Sequence, residues 1–340
     1  MSEIERVPFA QAFRDKTGGN QKVPKNAYEL EGDIPVIDQS QNFIAGYTTP
    51  ENQMTSVELP VIIFGDHTKA VKYIDFPFAL GADGVKVLKV QDRFLPKYLY
   101  WILKDTQIPD AGYSRHFKFL KEKNFAKPSI EEQQKIVEQR DLQELIQQKR
   151  ERQRELWAEL EKSFFIDMFG NPFMNPKGLP MARLGDVAEI VTGNSPSRAD
   201  ESNFGSDIEW IKSNNLGGRI ATAAEEWLSE SGKQKARIAP AGSVLVTCIA
   251  GSPESIGKCS LVDRDVAFNQ QINAILPSEN LSAEFILMQL KTFPELVRQK
   301  SSGGMKGLVS KSQFSEIEIL NPDPILMKKF IDILQKEPGV

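Results

Sequence analysis

The sequence predicts an α+β protein in which two repeated, mixed α/β domains are separated by a long coiled-coil helix. Three observations predict it. Residues 129–169 run without a single glycine or proline. Short β-branched runs bounded by turn residues lie on both sides of that stretch. The two flanking regions also offer the same kinds of pieces in the same order, and a repeat decides the whole architecture. The expected division is 1–127 for the first domain and 128–169 for the helix, then 170–321 for the second domain and 322–340 for a short second helix.

In the first domain, Ile34–Asp38, Leu59–Gly65, Ala70–Phe76 and Gly84–Val90 read as strands, being β-branched and bounded by Gly, Asp and Pro. Leu95–Asp105 has apolar residues at helical spacing and a proline early, where a helix tolerates it. Pro109–Phe125 reads as a polar loop. In the second domain, Gly170–Pro180 holds three prolines and reads as a linker. Ile208–Ser213, Gly242–Gly251, Ile256–Val262 and Ile272–Pro277 read as strands, and Ala283–Phe293 as a helix. Ser301–Phe314 reads as a glycine-rich loop and Pro324–Glu337 as a last short helix.

Side by side, Ile34–Ile37 answers Ile208–Ile211, Gly65 answers Gly251, and Phe78-Ala79 answers Ala267-Phe268. Helix Leu95–Lys104 answers Ala283–Lys291, Lys118–Leu120 answers Lys306–Leu308, and Gln134–Val137 answers Lys328–Ile331.

Between the halves, some forty residues of strong helix formers would make a rod of about 60 Å at 1.5 Å per residue. Leu142, Leu145, Ile146, Leu156, Leu160 and Phe164 fall on one seam, interrupted by Lys149 and Gln153. The counterpart helix from Pro324 is about four turns long, so it is expected to cover one end of the rod at most.

The formal charge of −4 and pI near 5.6 argue against a surface that binds polyanions everywhere, but leave room for a local basic face. Cys248 and Cys259 sit in apolar, strand-like surroundings and read as reduced thiols of a cytoplasmic protein; a disulfide is the alternative if their strands are neighbours. No apolar stretch is long enough to span a bilayer, so no membrane contact is expected. Asn171-Pro-Phe-Met174 lacks the second proline of a methyltransferase tetrad, and no GxxxxGK(S/T) phosphate loop occurs. Pro109-Asp110 with Glu122-Lys123 approaches a nuclease pattern, but Asn124 stands where its lysine belongs. His67 and His116 lie far in sequence from both cysteines, so no metal set is apparent. The chain reads as a binding module rather than an enzyme.

The order of these pieces resembles the specificity subunits of type I restriction–modification systems. The resemblance covers essentially the whole chain. It rests on the repeat, on PSIEEQQKIVEQRDLQELI (Pro128–Ile146), and on LEKSFFIDMFGNP (Leu160–Pro172) leading to MARLGDVAEIVTGNSPSR (Met181–Arg198). The first half opens more divergently, with IERVPFAQAFRDKTGGN (Ile4–Asn20). The resemblance implies two target recognition domains, each reading half of a split site in double-stranded DNA, with the helix setting the gap. A rod of 60 Å equals at most about 17 base pairs. It also implies methyltransferase (modification) subunits that bring S-adenosylmethionine, and restriction/translocase subunits that bring ATP and Mg chemistry; no cofactor is expected in this chain. The second helix is shorter than the family's, which leaves much of the seam open to self-association or to a methyltransferase subunit. Two rivals stand beside this reading: a coiled-coil scaffold with two globular heads that never touches DNA, and the specificity subunit of a related type II system.

Reading bases takes Arg, Lys, Asn and Gln at groove edges, with basic or hydroxyl groups on phosphates. In the first domain the candidates are Tyr113, Ser114, Arg115, His116 and Lys118, where cations interleave with aromatics, and Asn20, Gln21 and Lys22 after a Gly-Gly turn. Turns also favour such residues on their own account. In the second domain they are Asn194, Ser195, Ser197 and Arg198 in one short loop, and Lys212, Ser213, Asn214 and Asn215 directly after a strand. Ser301, Ser302 and Lys306 in a Gly-Gly loop complete the set. Asn269, Gln270 and Gln271 are base-edge types that equally serve to cap a strand. Asp200, Glu201, Glu225 and Glu226 would repel phosphates and are expected on an outer face.

Overall fold

The computed structural model describes residues 4–49, 54–109, 112, 115–278, 281–301 and 307–334. The chain divides into two compact units, Met1–Glu151 and Arg152–Val340.

The first unit is closed by its own ends. Strand Arg6–Pro8 pairs antiparallel with Asn124–Ala126. Inside that clasp lies a four-stranded antiparallel sheet in the order Phe13–Asp15, Val85–Val90, Val61–Gly65, Val71–Ile74. A three-stranded sheet runs Gly46–Thr48, Ile34–Ile37, Ala79–Leu80, the last pair parallel. Val61–Gly65 is buried along its whole length, as an unbroken apolar run requires of a central strand. Helix Pro96–Asp105 starts on its proline and buries Tyr98, Leu99, Trp101 and Leu103.

The second unit repeats this plan with strands added. Met181–Arg183 pairs with Glu318–Leu320 as its clasp. Its four-stranded sheet runs Ile190–Thr192, Ile272–Ile275, Val244–Thr247, Cys259–Leu261. Its second sheet runs Trp227–Leu228, Phe204–Ile211, Val266–Phe268, with the added strand Ile238–Ala239. Phe204–Ile211 and Val266–Phe268 form the matching parallel pair.

The ladders fix which residues correspond. Val36 faces Ala79 as Trp210 faces Ala267, so Ile34–Ile37 does answer Ile208–Ile211, but Ala79 answers Ala267 rather than Phe268. Gly65 faces Val85 as Thr247 faces Ile272, so its counterpart is Thr247 and not Gly251. The offset arises because an extra strand, Ile249–Ala250, pairs with Gly307–Leu308 and displaces Gly251. The loops Pro109–Phe125 and Ser301–Phe314 are not plain loops. Each contains a one-turn helix, Phe117–Lys121 and Lys311–Ser315, whose Leu120 and Phe314 are buried. These helices correspond to each other, so Lys118–Leu120 does not answer Lys306–Leu308. Five-residue helices escape periodicity, which needs two turns or more to show.

Helix Ile130–Phe169 runs 40 residues through the boundary between the units. Ser129 starts it with a reciprocal cap: Glu132 N–H donates to Ser129 Oγ at 3.2 Å, and Ser129 N–H donates to the Glu132 carboxylate at 2.9 Å. Gly170 ends it in the left-handed region (φ 81°), with its N–H on the Ile166 carbonyl. Within the first unit Asp141 binds Lys97 Nζ at 2.7 Å and Trp101 Nε1 at 3.0 Å, fastening helix Pro96–Asp105 to the rod. Gln133 is fully buried; its Oε1 accepts from Leu95 N–H at 2.8 Å and its Nε2 donates to Pro128 O at 3.0 Å. In the second unit helix Pro324–Leu334 buries Met327, Phe330 and Leu334 against Phe165 and Phe169 of the rod. Leu326 and Ile331 pack at the edge of the same core. The seam residues Leu142, Leu145, Ile146, Leu156, Leu160 and Phe164 are all exposed.

Both cysteines are buried and free. Burial pushes each thiol up to about 12. A thiol reagent such as Ellman's is therefore expected to leave both unmodified in the folded chain at pH 8 and to modify both after unfolding. Fast reaction of either in the native state would contradict this packing.

Candidate nucleic-acid interface

Within the first unit the two predicted loops meet. Lys22 and Arg115, 93 positions apart in the sequence numbering, line one hollow of about 300 Å³ together with Thr17, Asp66, His67, Asp83 and Lys86. Lys22 Nζ pairs with Asp83 at 2.7 Å, and both side chains are open to solvent. Lys86 Nζ lies 5.0 Å from the centre of the Phe117 ring. Gln21, Arg115 and Lys118 are exposed. Gln39 serves the fold beside this hollow: its Nε2 donates to Asp83 O at 2.9 Å and its Oε1 accepts from His67 N–H at 3.2 Å.

Two first-unit candidates need correction. His116 is buried, its N–H donating to Asp66 O at 2.8 Å and its Nδ1 facing the same oxygen at 3.0 Å. It seats the start of helix Phe117–Lys121, whose first N–H donates to Asp66 Oδ1 at 2.8 Å. Asn20 spends its amide on its own turn, Nδ2 donating to Lys16 O at 2.8 Å. Tyr113 and Ser114 lie outside the described residues, as do Ser302 and Lys306 of the second unit.

In the second unit the loop after Thr192, the turn after Ile211 and the turn after Phe268 converge. Ser195 Oγ donates to Gln270 Oε1, and Ser213 Oγ donates to Gln271 Oε1 at 3.4 Å. Asn269 Nδ2 donates to Gln271 Oε1 at 3.0 Å. Ser197 and Asn214 are exposed beside them. The result is a cluster of amides and hydroxyls, the groups that read base edges.

Arg198 and Lys212 flank that cluster and share one carboxylate. Arg198 Nη2 donates to both oxygens of Glu226, at 2.8 and 3.1 Å, and Lys212 Nζ donates to the same Glu226. Their charges lie over aromatic rings, Arg198 at 5.6 Å from Phe204 and Trp210 and Lys212 at 5.0 Å from Trp210. The bond from Lys212, followed by that from Arg198, holds the Glu226 carboxyl below its ordinary range. Glu226 is thus not on a remote outer face. It sits in the middle of the candidate surface, neutralising two of its cations.

Three second-unit candidates serve the fold instead. Asn215 is buried, accepting from Lys212 N–H at 3.0 Å and donating to Ala223 O at 3.0 Å. Asn194 bridges Lys235 O and Arg237 N–H, each at 2.7 Å. Ser301 Oγ accepts from Leu308 N–H at 3.1 Å and so anchors the start of the strand Gly307–Leu308.

Residues 176–336 match the family described as Type I restriction modification DNA specificity domain. The HindI specificity subunit of Haemophilus influenzae is 32% identical over 171 residues, 47% of this chain and 36% of that protein. The EcoR124I/EcoR124II specificity subunit of Escherichia coli is 22% identical over 351 residues, spanning 98% of this chain and 86% of that one. The chain is thus similar to the type I specificity subunits, with the family match on residues 176–336. A type I S subunit from M. genitalium has the same fold, with a TM-score of 0.61 at 14% identity over 99% of this chain and 91% of that chain. The family match falls within the second unit, the half whose opening segment Met181–Arg198 carried the resemblance. Among the described residues no three His, Cys, Asp or Glu side chains gather as a metal site, and no helix is long and apolar enough to cross a membrane.

Proposed function

We propose that this specificity subunit reads a split target in double-stranded DNA, one half-site per unit, and directs adenine methylation and restriction carried out by other subunits. The observation that carries the reading is the duplication itself. Two units of one topology each gather amide, hydroxyl and cationic side chains from separate loops onto one surface, which is what two half-sites require. Catalysis, with S-adenosylmethionine, ATP and Mg, belongs on this reading to methyltransferase and restriction/translocase subunits. The 40-residue helix carries both units and sets the gap between half-sites, and its exposed seam is where a methyltransferase subunit or a second copy of the chain packs.

Long-read mapping of adenine methylation in cells with and without the gene tests this. A split motif with a fixed spacer is expected to be methylated only when the chain is present. An unchanged methylation map on deletion would sink the proposal.

A further inference from the structure

The carboxylate of Glu226 occupies a place that a DNA phosphate would suit. Arg198 Nη2 is shared between its two oxygens, at 2.8 and 3.1 Å, and Lys212 Nζ adds a second cation, with both charges placed over the Trp210 ring. Two cations thus converge on one oxyanion through charge-assisted bonds, as they would on a phosphate. An ordinary surface pair contributes little to stability and needs no such convergence. The first unit offers a simpler counterpart: Asp83 holds one cation, Lys22, at 2.7 Å in an exposed pair that lines the same hollow as Arg115 and Lys86. The two carboxylates come from unrelated loops, so the likeness is one of chemistry and not of inheritance through the repeat.

We propose that Glu226, and Asp83 in the first unit, stand in for phosphate. They hold the cations of each reading surface in binding geometry while masking their charge from DNA. This rests on the DNA-reading surface described above and adds a consequence to it. A duplex must displace the carboxylate before Arg198 and Lys212 can neutralise phosphates. Non-specific attraction, which comes almost wholly from such neutralisation, is weakened. The net charge of −4 acts in the same direction. A subunit that must search a chromosome is thereby kept from being held on non-target duplex.

The test is a salt titration of the full chain binding a labelled 40-base-pair duplex of random sequence. Glu226→Gln keeps the shape of the side chain and removes its charge. It is expected to bind about three- to tenfold tighter at low salt, with a slope against log salt steeper by about one to two, since up to two more phosphates are neutralised. Glu226→Asp keeps the charge and is expected to stay near the parent. Asp83→Asn is expected to act as Glu226→Gln does, by a smaller factor. The double variant Arg198→Ala, Lys212→Ala separates the two levels of the argument. If it weakens binding and flattens the slope while Glu226→Gln leaves both unchanged, the surface stands and the phosphate stand-in is overturned. If adding Arg198→Ala and Lys212→Ala to Glu226→Gln leaves affinity and slope at the Glu226→Gln values, the reading of this surface falls, and the stand-in falls with it.

Discussion

Phe330→Ala is expected to lower the stability of the second unit by about 3–5 kcal/mol, measured by denaturant unfolding followed by circular dichroism. Phe330 is wholly buried on the short C-terminal helix. Its ring lies 5.6 Å from Phe165 and 5.2 Å from Phe169 of the long helix, and 6.5 Å from Phe285 of helix Ala283–Thr292. All three contacts are edge-on, the arrangement that aromatic quadrupoles favour. Three helices therefore meet on one side chain, and truncation leaves a cavity that none of them can close alone. An 11-residue helix has too few backbone bonds to hold itself together, so loss of its anchor should release the helix as well. Ile325→Ala on the same helix is the control. Its side chain is 79% exposed, and a change within about 0.5 kcal/mol is expected. A Phe330→Ala variant as stable as that control would mean the helix is not docked as described.

Much of this architecture was legible from the order of the residues. The long helix was bounded almost to the residue, because residues 129–169 hold no glycine or proline to break it. The strands Val61–Gly65 and Val85–Val90 announced themselves as β-branched runs. The short clasp strands were not visible. Arg6–Pro8 and Met181–Arg183 are three residues each, and what makes them strands is a partner more than a hundred residues away. The site was legible as loops and not as side chains. Composition found the turns at Lys22, Arg198 and Lys212, since chain reversals after strands gather polar residues. It did not tell which polar group faces outward. Asn215 and Asn194 have the same chemistry as Asn214, yet two of the three spend their hydrogen bonds on the backbone. Nor does a sequence show charge pairing, so Glu226 was placed away from the cations it binds.

Replacing Leu142, Ile146, Leu156 and Leu160 together by Gln is expected to leave the isolated chain nearly as stable as the parent and to abolish its assembly. Each of these side chains already exposes 42–57% of its surface, so little burial is lost on folding. Gln is close to Leu in helix propensity, which keeps the helix itself intact, and the change in unfolding free energy should stay within about 1 kcal/mol. Assembly is another matter. Fully covering a Leu or Ile side chain is worth about 1.5–3 kcal/mol, and four of them on one seam supply much of what a helix–helix contact needs. The stripe is interrupted by Lys149 and Gln153, so a partner must either leave its middle wet or bring acceptors there. Analytical ultracentrifugation of the chain alone, and co-purification with a methyltransferase subunit, distinguish the occupants. Self-association lost in the variant identifies a second copy, and co-purification lost with the chain monomeric throughout identifies the methyltransferase. A variant that keeps every association of its parent would show that the seam is a solvated face, and the contact would then have to be sought elsewhere on the chain.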